Sequence, residues 1–152
     1  MKTLKILTFL CFVIGFTAGS AQAMDFVKKE KHPKSFKATV SYSYAAYVSP
    51  SVHKFYGIGK ATHAGKVTSE FNVNHGDIGY AYGGDAVLTA ADGSELQVEM
   101  TIVNINATEA NGTWVFHGGT GRFADVDGEG IYHVSIISDT EFILTLDGTI
   151  GY

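Results

Sequence analysis

The feature that most constrains the fold is an alternation of apolar and polar residues with a period of two. In residues 36–44 every second residue is apolar, and the residues between them are Lys, Thr or Ser. The pattern recurs in residues 66–74, 95–102 and 141–147, with Ile143 as the one exception. Side chains of a β-strand point alternately to its two faces, so each segment has one apolar and one polar face. The alternation predicts an antiparallel sheet around a single core.

Turn-forming residues separate these segments. Asp92-Gly93 predicts a hairpin between residues 87–90 and 95–102, because an Asp-Gly pair readily adopts the backbone of a tight turn. Ser138-Asp139-Thr140 predicts a second turn, and Ala110-Asn111-Gly112 predicts a third. No segment of ten or more residues has the 3.6-residue period of a helix. The chain is therefore expected to be all-β, with about eight strands.

The positions of the small residues favour one of two all-β architectures. The chain contains 18 glycines and two prolines, and Gly57, Gly59 and Ala61 fall on one face of a predicted strand. Small residues allow a strand to bend sharply or to approach the opposite wall. We therefore predict a single closed antiparallel β-barrel, with a β-sandwich as the alternative.

The first 23 residues have the features of a cleavable signal peptide. Lys2 and Lys5 precede an apolar run at residues 6–16, and Ala21-Gln22-Ala23 supplies the small residues of a cleavage site. The apolar run is too short to cross a bilayer, so we expect no membrane span in the mature chain. We expect cleavage between Ala23 and Met24 and export to the periplasm or out of the cell.

The rest of the chain is expected to form one domain. Residues 24–33 are rich in charge and predict a flexible arm, and residues 34–152 predict the barrel. The single cysteine, Cys11, lies in the signal peptide, so the mature chain is expected to have no disulfide. Removal of Lys2 and Lys5 leaves nine basic residues against fifteen acidic ones, a net charge near −6. This charge excludes nucleic acid as a favoured partner.

A glycine-rich stretch, HGGTGRFADVDGEG at residues 117–130, could in principle bind a phosphate or a metal. Its match to the dinucleotide pattern G-x-G-x-x-A precedes acidic residues rather than a helix, so it would repel an anion. A calcium site needs six or more oxygen ligands, and that spacing is absent. We expect no metal and no cofactor. The stretch predicts a structural corner formed by Gly118, Gly119, Gly121, Arg122 and Phe123.

The same stretch carries a family resemblance. GGTGRF followed by GEG resembles the GGTG-[KR]-F signature of allene oxide cyclase-like and dirigent-like barrels. GIGKATHAGKVTSEF at residues 57–71, AVLTAADGSELQVEM at 86–100 and LDGTIGY at 146–152 resemble further blocks of that superfamily, in the same order, as found in its small secreted bacterial members. The resemblance implies an eight-stranded antiparallel barrel with a central cavity, and it makes a homo-oligomer, such as a trimer, a possible assembly.

The resemblance implies less about chemistry than about fold. Plant allene oxide cyclases bind a fatty-acid epoxide in the barrel, and dirigent proteins direct the coupling of phenoxy radicals. Their active-site residues do not map onto matching positions of this chain. The cyclase or isomerase activity is therefore an alternative for this chain and not its first prediction.

The candidate ligand-binding residues are aromatic. Tyr42 and Tyr44 share a predicted apolar face, and His63 and His117 are the histidines expected near an end of the barrel. No arrangement of residues typical of catalysis is present, so we predict no catalytic residues.

An eight-stranded barrel is either filled by side chains or holds one small ligand. We predict a barrel that binds a small apolar or aromatic molecule without catalysis. The alternatives are a cyclase or isomerase that uses the cavity, and a packed barrel that binds other proteins.

Overall fold

The computed structural model describes residues 32–75 and 81–152, so the expected signal peptide and most of the expected arm at residues 24–33 lie outside the described residues. The described chain forms eight strands and one turn of 3-10 helix at Gly121–Phe123. The strands are β1 Lys34–Ser49, β2 Val52–Ala61, β3 Gly65–His75, β4 Ala81–Ala90, β5 Glu95–Ile105, β6 Glu109–Gly119, β7 Glu129–Ser138 and β8 Glu141–Ile150.

Each strand pairs antiparallel with the next, and β8 pairs with β1 to close the sheet. The prediction of a closed eight-stranded antiparallel barrel is therefore confirmed, and the sandwich is not formed. Each of the eight described strands therefore has a neighbour on both sides. Within the described ranges, no helix is long and apolar enough to span a bilayer.

The barrel has two ends that differ in structure. The closed end carries the β2–β3, β4–β5 and β6–β7 connections at residues 62–64, 91–94 and 120–128. The open end carries the β1–β2, β5–β6 and β7–β8 turns at residues 50–51, 106–108 and 139–140. We use these two names throughout.

The half of the interior next to the closed end is filled by aromatic side chains. Trp114 is 1% exposed, and its ring centroid lies 4.8 Å from that of Phe116 and 5.5 Å from that of Phe36. Gly130 and Gly148 pair across β7 and β8 beside Trp114, and a Cβ at either position would lie 2.8 Å from an indole atom. The glycines thus leave the space that the indole ring fills, and the indole Nε1 donates a 2.9 Å hydrogen bond to the carbonyl of Ile131.

The small residues of β2 have the role that the sequence predicted. A Cβ on Gly57 would lie 2.6 Å from Cγ1 of Val40 and 2.7 Å from a ring carbon of Tyr42. A Cβ on Gly59 would collide with the backbone carbonyl of Thr39. The absence of side chains there lets β1 and β2 curve tightly together.

The alternation predicted for β1 holds as far as Tyr42. Phe36, Ala38, Val40 and Tyr42 are all buried, whereas Tyr44 is 40% exposed. The pairing of β1 with β2 shifts register between Tyr44 and Ala46, where β1 reaches the rim of the barrel. Tyr44 still pairs with Phe55 and contacts its ring, so it keeps the inward face, but it is exposed rather than dry because it lies at the rim.

One predicted turn also lies elsewhere. Residues 110–112 belong to β6, and the turn is formed by residues 106–108. Oδ1 of Asn106 accepts hydrogen bonds from the backbone N–H groups of Thr108 and Glu109, at 2.9 and 3.0 Å. This side-chain cap fixes the turn four residues earlier than the Asn-Gly pair suggests.

Candidate functional site

A cavity of about 220 Å³ occupies the barrel interior at the open end. Its floor is formed by the rings of Phe55, Phe71 and Phe142. Its walls come from β3, β5 and β7 and are mainly aliphatic. The wall residues include Val73, Ile102, Val134 and Ile136, and Tyr132 is the one tyrosine among the residues that line the cavity. The barrel is thus packed at one end and hollow at the other.

Tyr42 supports the floor from below. Its ring stacks on Phe142 with centroids 5.0 Å apart and is tilted against Phe71 at 5.5 Å. Its hydroxyl forms a 2.6 Å hydrogen bond with Oγ of Ser69, which is also buried. Burial raises the pKa of Tyr42 well above its ordinary value, so the phenol is neutral at physiological pH. Tyr42 therefore fixes the positions of two floor residues rather than lining the cavity.

Tyr132 lies on the cavity wall and is 5% exposed. Burial raises the pKa of its phenol from 10.0 to about 12, which keeps the hydroxyl protonated. The hydroxyl forms no hydrogen bond with any residue in the described part of the chain. The hydroxyl is therefore a polar hydrogen-bond donor on an otherwise apolar wall.

The mouth of the cavity carries the polar groups. Among the described residues, they are His53, His75, Ser138 and Asp139. The pairing of β2 with β3 sets His53 opposite Val73, so His75 is its diagonal neighbour on the same inward face. The two imidazole centroids lie 4.6 Å apart. An apolar chamber with polar groups at one end is the usual form of a small-molecule site.

Two tyrosines of β1 flank this histidine pair. The ring of Tyr44 lies edge-on to His53 with centroids 5.9 Å apart, and the ring of Tyr47 lies at 5.6 Å. Tyr44 also contacts the floor residue Phe55 at 5.6 Å. Tyr44 therefore belongs to the rim of the mouth.

The structure does not bring the four predicted ligand-binding residues together. Tyr42 lies under the floor and Tyr44 lies on the rim. His63 lies at the closed end in a turn with a φ of 68°, where its Nε2 is 3.1 Å from the carbonyl oxygen of Ser35. His117 is exposed on the outer face of β6, whereas Trp114 and Phe116 on the same strand point inward. Neither histidine lines the cavity.

The glycine-rich corner joins the connections of the closed end. Gly121 has a φ of 58°, in the left-handed region, and starts the 3-10 turn. The Nε of Arg122 lies 3.5 Å from Oδ2 of Asp92, and its Nη2 lies 3.5 Å from the carbonyl of Ala64. Phe123 is fully buried beneath this turn. The corner therefore covers the packed half of the interior, far from the cavity.

The described residues contain no group of three His, Cys, Asp or Glu side chains arranged to hold a metal ion. The two mouth imidazoles alone are fewer than the three protein ligands of a catalytic zinc site.

His53, His75 and Tyr132 were missed by the sequence prediction, although a signal for the two histidines is present. His53 is two residues before Phe55, and His75 is two residues after Val73, so the period of two places both on the inward face. The twenty-one residues between the histidines conceal their proximity, which depends on the register of β2 and β3.

Comparison with known proteins identifies the fold. No family model matches the chain, and no curated protein matches it. Among solved structures, the chain is similar to the pterocarpan synthase dirigent protein GePTS1, with a TM-score of 0.55 and 11% identity, over 81% of this chain and 87% of that chain. The expected likeness to dirigent proteins therefore holds at the level of the fold.

Proposed function

We propose that this barrel binds one small apolar or aromatic molecule in the cavity at its open end, without catalysis. The observation that carries the proposal is the cavity itself, with its aromatic floor and aliphatic walls. Burial of apolar ligand surface there would contribute roughly 25 cal/mol for each Å² removed from water.

The dimensions of the cavity limit the ligand. A cavity of roughly 150 Å³ lined by apolar side chains holds one benzene molecule. A volume of about 220 Å³ accommodates a molecule with one or two rings. The fold of the dirigent protein GePTS1, described as a pterocarpan synthase, supports the same class of ligand by analogy.

The proposal is tested by titrating the protein with 2-naphthylmethanol, a neutral two-ring probe, and following the binding heat by calorimetry. We expect one site per chain. A Val134→Phe variant places a larger ring in the cavity wall and should abolish binding. Ile131→Phe is the matched control, because Ile131 is on the same strand but 66% exposed, and it should bind as the wild type does.

The alternatives give different results in this titration. A barrel that acts only as a protein-interaction module would bind no probe, and absence of binding would overturn the proposal. Equal binding by Val134→Phe and the wild type would place the probe outside the cavity and would also overturn it. A cyclase or isomerase would bind its ligand and also return it chemically changed, which mass analysis of the recovered ligand detects.

We also propose that the barrel acts after export to the periplasm or the cell exterior. The support is the sequence of residues 1–23, with its two lysines, apolar run and Ala-Gln-Ala site. The mass of the chain isolated from its own cells should correspond to a start at Met24. An intact chain in the cytoplasm would contradict export.

A further inference from the structure

The histidine pair at the mouth differs in chemistry from the rest of the cavity. His53 and His75 have ring centroids 4.6 Å apart, above a floor and walls that are almost entirely apolar. Two neighbouring strands each direct an imidazole to the place where a ligand would enter. From this arrangement we infer that the pair is a binding site for the anionic head group of the ligand, and that the ligand is an aromatic or aliphatic carboxylate. This inference rests on the proposed function.

The geometry favours a carboxylate over a neutral polar group. Each imidazole can donate an N–H, and a carboxylate has two oxygens that accept such bonds. Hydrogen bonds between charged groups are roughly twice as strong as those between neutral ones. A head group at the mouth would leave the apolar part of the ligand in the chamber and within reach of the wall, including Tyr132.

Electrostatics make this site dependent on pH. Imidazole side chains ordinarily change charge between pH 5 and 8. Two imidazoles in ring contact repel each other when both are protonated, and a bound anion removes that repulsion. Binding of a carboxylate is therefore coupled to proton uptake and strengthens as the pH falls.

The other groups around the pair fit the same assignment. The rings of Tyr44 and Tyr47, from β1, contact His53 at centroid distances of 5.9 and 5.6 Å and form an aromatic rim beside the pair. Lys54 is held on the outside of the barrel by Glu70, at 3.0 Å. Asp139 also lies at the mouth and would weaken anion binding, but it forms no ion pair with His53.

The test compares two probes that differ only in the head group. These are 2-naphthoate and 2-naphthylmethanol, titrated at pH 5.5 and pH 8.0 in the presence of EDTA, which prevents a metal ion from bridging the imidazoles. A carboxylate remains mainly ionised at pH 5.5. We expect 2-naphthoate to bind at least about fivefold more tightly at pH 5.5 than at pH 8.0. The alcohol should bind with nearly the same affinity at both.

Three variants assign the effect to individual groups. His53→Gln should reduce the pH dependence of 2-naphthoate binding to less than about twofold, and unchanged binding of the alcohol shows that the cavity is intact. Asp139→Asn should keep the pH dependence, since the imidazoles are still present. His133→Gln should also keep it, because His133 is exposed on the outer face of β7.

The results separate this inference from the proposed function. If the alcohol binds but 2-naphthoate shows no pH dependence, the carboxylate site is wrong and the apolar cavity stands. A pH dependence that persists in His53→Gln also overturns the assignment. If neither probe binds, the proposed function itself fails.

Discussion

At the scale of single residues, the two buried tyrosines have different roles. Tyr42 shares its hydrogen bond with Ser69 and holds Phe71 and Phe142 in place, so its polar group is satisfied within the protein. The hydroxyl of Tyr132 faces no such partner among the described residues, although the side chain is almost as deeply buried. One phenol therefore stabilises the floor, and the other lines the wall of the cavity.

Both phenols make the stability sensitive to alkaline pH. Burial raises the pKa of each, to about 12 for Tyr132, so the unfolded chain releases these protons at a lower pH than the folded chain does. Their contribution is complete below pH 10 and is lost as the pH rises further. Two such groups should lower the free energy of unfolding by about 2 kcal/mol between pH 10 and pH 11.

This decrease is measurable by urea unfolding, with the fluorescence of Trp114 as the signal, since the chain has a single tryptophan. Tyr42→Phe and Tyr132→Phe should each remove about half of the decrease, and the double variant should remove nearly all of it. A double variant that loses as much stability as the wild type between pH 10 and pH 11 would assign the effect to other groups.

At the scale of the elements, the connections differ between the two ends of the barrel. The β6–β7 connection folds over the closed end with Gly121, Arg122 and Phe123, and it contacts the β2–β3 and β4–β5 turns through Ala64 and Asp92. The open end has no comparable cover among the described turns, and the cavity lies there. The packed core and the cavity that we propose as the binding site therefore lie in different halves of the barrel.

Gly121→Ala tests this division. A left-handed φ costs an ordinary residue about 1–2 kcal/mol, and a Cβ at Gly121 would also collide with Oγ of Ser94. We expect a loss of about 2–4 kcal/mol in the free energy of unfolding, with unchanged affinity of the folded protein for 2-naphthylmethanol.

Gly93→Ala is the matched control for Gly121→Ala. Gly93 has a φ of 81°, but a Cβ there has no neighbour within 4 Å, so only the backbone strain remains. Gly93→Ala should therefore lower the free energy of unfolding by about 1–2 kcal/mol. Equal losses in the two variants, or a lower ligand affinity in Gly121→Ala, would show that the corner does not act as described.

At the scale of the whole molecule, the sequence predicts the barrel better than the site. The alternation in β1, β5 and β8 and the small residues of β2 are local signals, and together they favour a closed barrel over a sandwich. The register shift after Tyr44 and the side-chain cap at Asn106 move individual residues without changing the architecture.

The candidate site could not be predicted in the same way, because it depends on side chains from many strands at once. Whether the interior is full or hollow depends on the combined volume of side chains from all eight strands. In this barrel, Trp114 and its neighbours fill one half, whereas Val73, Val134 and Ala110 leave space in the other. The proximity of His53 and His75 depends on the register of two strands, which neither histidine reveals by itself.

The central claim, that one half of the barrel is packed and the other binds a small apolar molecule, is tested most directly by NMR. Methyl groups are labelled and followed during titration with 2-naphthylmethanol. We predict that the aromatic ring shifts the methyl signals of Val73, Ile102 and Val134 around the cavity and leaves those of Leu96 and Ile150 at the closed end unchanged. Shifts confined to exposed residues of the outer face, or no shifts, would contradict the account.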